Sequence, residues 1–346
     1  MKDLFAQEFF YRMVLGFELV YRYTSRNTPG LRTVMLRRGG LELELLAGEG
    51  EAEPSSHLAL EVDDVEMAWS RLELRETQGG EAPRNTGDGF RECALRDPEG
   101  HRVELFSRIR PFRHRPLRGV VFDLDGTLVD SEGNYCDADC RMLEEYGVPF
   151  TPEMKLKFVG YSNEAMMREL RDLYGISAGV GDLVARKNEL YLKLARKNTP
   201  VFPEMRRLLD VLVQRKIPRA VATGSSRDVV REVLDFTGLA AYFDVVLSSD
   251  DVGRSKPAPD VFLAAAKGLG VPPDEAVVFE DSIYGVEAAV RGGFRCVALP
   301  AYPDQLPLNP LYRMADVLVE GGIGAFSAEE ILVWMDRQGE AETGQK

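Results

Sequence analysis

The C-terminal two-thirds of the chain alternates short apolar runs with segments in which apolar residues recur at helical spacing. Five runs have the length and composition of buried strands, at residues 119–122, 218–222, 244–247, 276–279 and 295–298. Helical spacing occurs between them, near residues 203–215, 226–237, 259–269 and 283–291. Because strands that alternate with helices form parallel sheets, this pattern predicts an α/β fold, a Rossmann-like parallel sheet with helices on both faces.

The interval at about residues 133–199 interrupts this alternation. It is rich in Glu, Lys, Arg, Leu and Met at helical spacing, and it has no convincing strand pattern. We therefore predict an inserted α-helical cap between the first and second strands of a domain that spans residues 118–335.

The N-terminal part of the chain has a different pattern. Strict alternation in the stretch LELEL, residues 41–45, predicts a half-buried strand, and residues 1–107 are predicted to form a smaller domain. Residues 108–117 combine arginines with Pro111 and Pro116, which oppose regular structure, so we interpret them as a linker. The polar residues 336–346 are predicted to be a disordered tail.

Composition narrows the class of protein. The chain has 346 residues, enough for two domains, and its 45% hydrophobic and 29% charged residues are typical of a soluble protein. We find no apolar run near the roughly 20 residues that a membrane span needs, and no signal-peptide pattern at the N-terminus, so a cytoplasmic location is expected. A formal net charge of −13 argues against a nucleic-acid-binding surface. Four scattered cysteines indicate buried thiols and no disulfide framework.

Polar residues follow four of the predicted strands, and these residues suit phosphoryl transfer. The carboxyl ends of parallel strands meet at one edge of a sheet, so such residues converge on one site. Asp123 can attack phosphorus as a carboxylate nucleophile, and Asp125 can move protons to the leaving oxygen and from water. The hydroxyls of Thr223 and Ser225 and the ammonium group of Lys256 can hold the transferring oxygens.

The same loops carry a candidate metal site. Carboxylates at Asp123, Glu280 and Asp281, together with the backbone oxygen of Asp125, are hard oxygen ligands of the kind that Mg²⁺ prefers. We therefore predict Mg²⁺ as the cofactor.

Four motifs resemble those of the haloacid dehalogenase-like hydrolase superfamily, in the family's order. They are FDLDGTLVDS at 122–131, ATGSS at 222–226, SKPAPD at 255–260 and FEDS at 279–282. The resemblance covers about residues 118–330. Within the superfamily the chain is similar to the β-phosphoglucomutase-like branch, which has its helical cap after the first motif. It implies that Thr127, Gly224 and Ser225 contact the phosphate of a small phosphorylated metabolite, and that the protein is a phosphatase or a phosphomutase.

Two cap positions bear on the choice between these reactions. The family's β-phosphoglucomutases carry a cap histidine and a cap arginine, and the matching positions here hold Tyr135 and Asn163. These departures favour hydrolysis, although Arg168 or Lys187 can supply a cap cation from a different position. Tyr161 and Asn163 lie in or beside a predicted turn, where they either reach a substrate hydroxyl or face solvent.

The N-terminal domain resembles the glyoxalase/bleomycin-resistance family, the vicinal oxygen chelate fold with its α+β βαβββ modules. The resemblance rests on FFYRMVLGFELV at 9–20, HLALEVDD at 57–64 and RDPEGHRVELF at 96–106. It implies Glu44, His57 and Glu104 as three ligands of a second metal site. The family's first strand has no match before the helix, which favours a ligand-binding or dimerising module without chemistry of its own. A protein that senses a small molecule through this domain is therefore the alternative to a working enzyme.

Overall fold

The structure is a computed structural model. It describes the chain in ten ranges: residues 3–25, 30–39, 41–47, 58–71, 80–86, 89–96, 102–108, 115–158, 163–304 and 307–338. The chain divides into two compact units, Met1–Arg115 with Gln338–Lys346, and Pro116–Arg337. Most of the predicted linker, residues 109–114, lies outside the described ranges, and so does most of the predicted tail, from residue 339.

The described part of the N-terminal unit contains two small sheets and two α-helices. Its elements are α1 (Leu4–Phe9), β1 (Glu18–Thr24), β2 (Arg32–Arg38), β3 (Leu41–Ala47), β4 (Leu58–Glu61), α2 (Val65–Arg71), β5 (Glu81–Asn85), β6 (Phe90–Arg96) and β7 (Arg102–Arg108). The first sheet has the order β1-β2-β3 and the second β4-β7-β6-β5, with β4 parallel to β7. The second half is therefore a complete βαβββ module, whereas the described part of the first half begins at α1.

The core of the first module follows from its alternating pattern. Leu45 is buried and Glu44 is exposed, as the alternation at 41–45 predicts. Leu45 packs with Leu4 of α1 and with Leu36 of β2. Burial of these apolar faces holds α1 against the sheet.

The larger unit is built on a six-stranded parallel sheet with the order β10-β9-β8-β11-β12-β13. Its strands are β8 (Gly119–Phe122), β9 (Arg219–Thr223), β10 (Val245–Ser248), β11 (Ala276–Glu280), β12 (Arg295–Ala298) and β13 (Val317–Leu318). Helices α7 (Pro203–Gln214), α8 (Arg227–Thr237), α9 (Asp260–Leu269), α10 (Ile283–Gly292) and α11 (Ala328–Arg337) accompany it. The predicted fold class is confirmed, and the five predicted strands begin and end within one residue of the observed ones.

Two features of this unit were not predicted. The short strand β13 pairs with β12 through Val317 and Leu318, and its two half-buried residues form no recognisable apolar run. Helix α11 continues past residue 335 to Arg337, because Arg215 Nη1 donates a hydrogen bond of 2.6 Å to Asp336 Oδ1 and ties that end to α7.

The described residues of the cap, between β8 and α7, contain four α-helices: α3 (Glu132–Glu144), α4 (Pro152–Lys155), α5 (Asn163–Tyr174) and α6 (Val180–Ala195). Met142, Leu143, Met167 and Leu170 form its separate core. Its two connections to the sheet run side by side. Asp130 N donates to Pro200 O at 2.9 Å, and Phe202 N donates to Leu128 O at 3.1 Å. No helix in the described ranges is both long and apolar enough to cross a membrane.

Candidate active site

The third motif follows β10, and the carboxyl ends of β8, β9 and β11 bring the other three motifs together. The strand β8 lies between the other two, with Phe122 opposite Val221 of β9 and Phe279 of β11. Asp123 follows β8, and its backbone N–H donates to Phe279 O at 3.0 Å, which fixes the start of the first loop. Continuous apolar strands thus place polar side chains from distant parts of the sequence at one edge of the sheet.

Asp123 is a buried carboxylate in contact with a buried cation. Lys256 Nζ donates to Asp123 Oδ1 at 2.6 Å and also to Glu280 Oε1. Burial raises the pKa of Asp123, and the positive charge of Lys256 opposes that rise. Burial by itself lowers the pKa of Lys256, but the two carboxylates outweigh it and the net pKa is raised, so the lysine remains charged. The other oxygen of Asp123 is not engaged by Lys256.

Three buried acids form the candidate metal centre. Asp123, Glu280 and Asp281 each offer an oxygen within 4.8 Å of the others, and no other such group of three occurs among the described residues. Burial, followed by the charges of Glu280 and Asp123, raises the pKa of Asp281 well above its usual range. Because up to three negative charges face one lysine, this donor set fits a divalent cation with hard oxygen ligands.

Two glycines give these acids their positions. Gly126 has φ of +75°, and a Cβ there would overlap Asp281 Oδ2, so the first loop can approach the acid only with glycine. Gly285, in the first turn of α10, faces Glu280, and a Cβ there would overlap that carboxylate. The backbone N–H and hydroxyl of Ser282 donate to Glu280 Oε2 at 2.8 and 2.9 Å. Glu280 is thus held at the N-terminus of α10.

Asp125 has different surroundings, because hydroxyl groups converge on it. Ser131 Oγ donates to its Oδ1 at 2.7 Å, and Ser225 Oγ donates to its Oδ2 at 2.6 Å. Tyr135 OH donates to Oδ2 at 3.3 Å, and Tyr191 OH donates to Oδ1 at 3.4 Å. Burial raises the pKa of Asp125, and these hydrogen bonds oppose the rise. Burial, followed by the charge of Asp125, raises the pKa values of both tyrosines, so they stay protonated and donate.

Three of the four residues that are predicted to hold the phosphate have hydrogen-bonded side chains in this structure. Thr223 is buried, and its hydroxyl accepts from Ser225 N at 3.2 Å, while Thr127 donates to Asp281 Oδ1 at 3.5 Å. Gly224 is exposed at the same strand end. The hydroxyl of Ser225 is occupied by Asp125 and by Tyr135 OH, 2.7 Å away, so it supports the acid in this structure. A direct role of these residues in phosphate binding stays a prediction.

Polar residues of the cap form a cluster around Lys187, whose side chain is buried. Asn163 Oδ1 accepts from Lys187 Nζ at 2.8 Å, and Lys187 pairs with Asp139 at 2.8 Å. Lys155 also pairs with Asp139. Burial, followed by the charge of Lys155, lowers the pKa of Lys187 to about 8. Arg168 is exposed on α5, and Tyr161 lies outside the described residues.

Sequence reasoning missed part of this site. Tyr135 was considered only as a substitution for a histidine, and Ser131, Tyr191 and Asp139 were not considered as site residues. Ser131 belongs to the first motif and was within reach of prediction. Tyr191 is 56 positions from Tyr135 in the sequence, and no sequence spacing connects the two helices that carry them.

The second predicted metal site stays a prediction, because one of its three ligands lies outside the described residues. Glu44 is exposed on β3, in the first sheet, whereas Glu104 lies on β7, in the second. Glu104 pairs with Arg102 at 3.3 Å. His57 lies outside the described residues.

Comparison with known proteins identifies both parts of the chain. Residues 120–299 match the family described as haloacid dehalogenase-like hydrolase, and residues 2–105 match the glyoxalase/bleomycin resistance protein/dioxygenase superfamily. A validoxylamine A 7'-phosphate phosphatase from Streptomyces hygroscopicus subsp. limoneus is 34% identical over 58% of this chain and 92% of its own length. The fructose-1-phosphate phosphatase YqaB of Escherichia coli is 32% identical over 52% of this chain and 94% of its own.

Solved structures give the same result for the larger unit. CbbY from Rhodobacter sphaeroides, in complex with phosphate, has a TM-score of 0.52 at 26% identity, over 60% of this chain and 95% of its own. A putative β-phosphoglucomutase from Thermotoga maritima has a TM-score of 0.50 at 29% identity, over 64% of this chain and 99% of its own. The chain belongs to the haloacid dehalogenase-like hydrolase family. Within that family it is a phosphatase, preceded by a glyoxalase-like domain at its N-terminus.

Proposed function

We propose that this phosphatase hydrolyses a small phosphorylated metabolite of the sugar-phosphate class through a phospho-aspartate on Asp123. The observation that carries the proposal is the arrangement at Asp123, where Lys256 holds one carboxylate oxygen while Asp125 lies two residues away in a pocket of hydroxyls. Relatives that act on phosphorylated carbohydrates, among them the fructose-1-phosphate phosphatase of Escherichia coli, support the substrate class.

The proposed reaction has two steps. Asp123 attacks phosphorus, the bond from phosphorus to the ester oxygen breaks, and Asp125 gives its proton to the leaving oxygen. Asp125 then takes a proton from water as that water attacks the phospho-aspartate, which releases inorganic phosphate and restores Asp123. Asp123, Glu280, Asp281 and the backbone oxygen of Asp125 would hold Mg²⁺, which supplies positive charge against the phosphoryl oxygens when bound.

A screen of phosphorylated metabolites tests this proposal. The wild-type protein and Asp123→Asn are assayed for phosphate release with Mg²⁺ and again after treatment with EDTA. We expect the variant to lose at least about a thousandfold in kcat, about 4 kcal/mol, because an amide is a poor nucleophile and a weak metal ligand. Circular dichroism confirms that the variant is folded. Full turnover by folded Asp123→Asn, or by metal-free wild type, would contradict the mechanism.

Phosphomutase activity is the second candidate, since a putative β-phosphoglucomutase is among the similar structures. A mutase must retain a bisphosphorylated intermediate, and a charge-assisted contact to the non-reacting phosphate is worth roughly 1.5–3 kcal/mol. Here Asn163 replaces the expected arginine, and Lys187 is paired with Asp139. We therefore favour hydrolysis.

Phosphorus NMR distinguishes the two reactions. The protein is incubated with β-glucose 1-phosphate, Mg²⁺ and a trace of the bisphosphate. Hydrolysis predicts inorganic phosphate as the product. Accumulation of glucose 6-phosphate without matching inorganic phosphate would establish the mutase and overturn our preference.

A further inference from the structure

Four hydroxyl groups surround the carboxylate of Asp125. Each carboxylate oxygen receives one short bond from a serine and one longer bond from a tyrosine. Oδ1 receives Ser131 at 2.7 Å and Tyr191 at 3.4 Å, and Oδ2 receives Ser225 at 2.6 Å and Tyr135 at 3.3 Å. Tyr135 OH lies closer to Ser225 Oγ, at 2.7 Å, so it acts on Oδ2 mainly through the serine that donates to it. The serines belong to the core motifs, whereas the tyrosines come from the cap.

The rings of the two tyrosines stack on each other between two helices of the cap. Tyr135 belongs to α3 and Tyr191 to α6, and their rings stack with centroids 3.9 Å apart and an angle of 12° between the ring planes. Both rings are buried, and Lys187 Nζ lies 5.3 Å from the centre of the Tyr135 ring. Stacking and burial restrict the movement of both rings and so of the two hydroxyls relative to each other.

We propose that Tyr135 and Tyr191 are positioning residues that orient the carboxylate of Asp125 for proton transfer. The torsion that turns a carboxylate about its Cβ–Cγ bond is soft, and two further donors fix the carboxylate plane. Proton transfer needs the acid oxygen within about 2.6–3.2 Å of the leaving oxygen, and a displacement of about 1 Å can cost a hundredfold in rate. The proposal rests on the proposed function, in which Asp125 is the general acid.

Two substrates with different leaving groups make the role measurable. A p-nitrophenyl phosphate releases a stabilised phenolate and needs little protonation, whereas an alkyl phosphate releases an alkoxide that must be protonated. The ratio kcat/KM reports the steps up to departure of the leaving group, so it isolates the acid step from hydrolysis of the phospho-aspartate. A residue that positions the acid therefore affects the alkyl substrate selectively.

The variants are Tyr135→Phe, Tyr191→Phe and the double variant, each of which keeps the stacked rings and removes only hydroxyls. Tyr242→Phe is the matched control, because its hydroxyl donates to Asp210 at 2.7 Å in the same unit, outside the site. We expect each single variant to lose about tenfold in kcat/KM on the alkyl phosphate and less than about twofold on p-nitrophenyl phosphate. The control is expected to keep both values.

Asp125→Asn separates this proposal from the proposed function. In one outcome, Asp125→Asn loses far more kcat/KM on the alkyl phosphate than on p-nitrophenyl phosphate, whereas the tyrosine variants lose equally on both substrates or on neither. This outcome overturns the positioning proposal and leaves the proposed function standing. If Asp125→Asn itself loses equally on both, the acid role of Asp125 is wrong and the positioning proposal falls with it. Retained p-nitrophenyl phosphate activity shows that each variant is folded.

Discussion

Asp123 and Asp125 are two residues apart, yet their surroundings differ in charge. A lysine contacts Asp123, whereas neutral hydroxyls contact Asp125. A cation at Asp123 favours the ionised form of that carboxylate, whereas burial without a cation in contact raises the pKa of Asp125 and favours the protonated form that a general acid needs. The difference in environment is what allows one loop to supply both the proposed nucleophile and the proposed acid.

A single added methyl group at Gly285 is predicted to disturb the metal centre. Gly285→Ala places a Cβ where the Glu280 carboxylate lies, so that carboxylate must move away from Asp123 and Asp281. We expect the Mg²⁺ concentration for half-maximal activity to rise about tenfold or more, in the range of changes near metal ligands. Titration of activity with Mg²⁺ measures the effect.

Gly181→Ala is the control for this variant. Gly181 lies in the first turn of α6, and a Cβ there meets no atom within 4 Å, so its Mg²⁺ requirement should match the wild type. A wild-type Mg²⁺ requirement in folded Gly285→Ala would show that the position of Glu280 does not govern metal binding.

Whether the sequence predicts a site residue depends on where that residue lies in the fold. Asp123, Lys256 and Asp281 each belong to a strand-end motif, so short sequence patterns predicted them as site residues. Tyr191 belongs to a helix of the cap and reaches Asp125 only through tertiary packing. Packing between distant helices leaves no local signature, so the second tyrosine of the pair was found only in the structure.

Elements whose residues are buried on both faces were predictable, because they are continuous apolar runs. All residues of β8 and β12 are buried, and both strands were predicted at their observed positions. The two-residue strand β13 has no such run, so its place at the sheet edge depends on pairing with β12. Periodicity predicts an element from its own residues, whereas a short edge strand is defined by its neighbour.

A pair of acids on the neighbouring strands β6 and β7 is predicted to make the stability of the second sheet depend on pH. Burial, followed by the charge of Glu104, raises the pKa of Glu92 to about 7, while Arg84 and Arg102 oppose the rise. A pKa raised on folding stabilises the fold fully below the unfolded value of about 4.5, and this contribution is lost as the pH rises through about 7. Glu92→Gln should therefore stabilise the sheet more at pH 8 than at pH 5, by about 1–2 kcal/mol after allowance for solvent screening.

Amide hydrogen exchange in β6 and β7 measures this prediction, because it reports opening of the sheet separately from the rest of the chain. Wild type and variant are compared at each pH. Glu61→Gln, at an exposed position on β4, is the control and should show no such dependence. An equal effect of Glu92→Gln at both pH values would contradict the pairing of the two acids.

At the scale of the whole molecule, every residue of the proposed reaction lies in the larger unit. Pro116–Arg337 contains the sheet, the cap and the candidate metal centre. At about 220 residues it has the size of an independent domain with its own core. The sequence predicted two parts because the strand–helix alternation begins only after the arginine-rich segment.

A fragment of residues 116–338 is therefore predicted to work alone. We expect its kcat/KM on p-nitrophenyl phosphate to be within about threefold of the full chain, a difference of about 0.7 kcal/mol. The complementary fragment, residues 1–115, should release no phosphate. A folded but inactive 116–338 fragment would show that the glyoxalase-like domain takes part in turnover.

The paired connections at the base of the cap have a mechanical consequence. Two segments that run side by side and are joined by hydrogen bonds, from Asp130 to Pro200 and from Phe202 to Leu128, resist twisting and lateral sliding more than a single connection would. The two linked segments therefore help to fix where the cap tyrosines Tyr135 and Tyr191 lie relative to the carboxylate of Asp125.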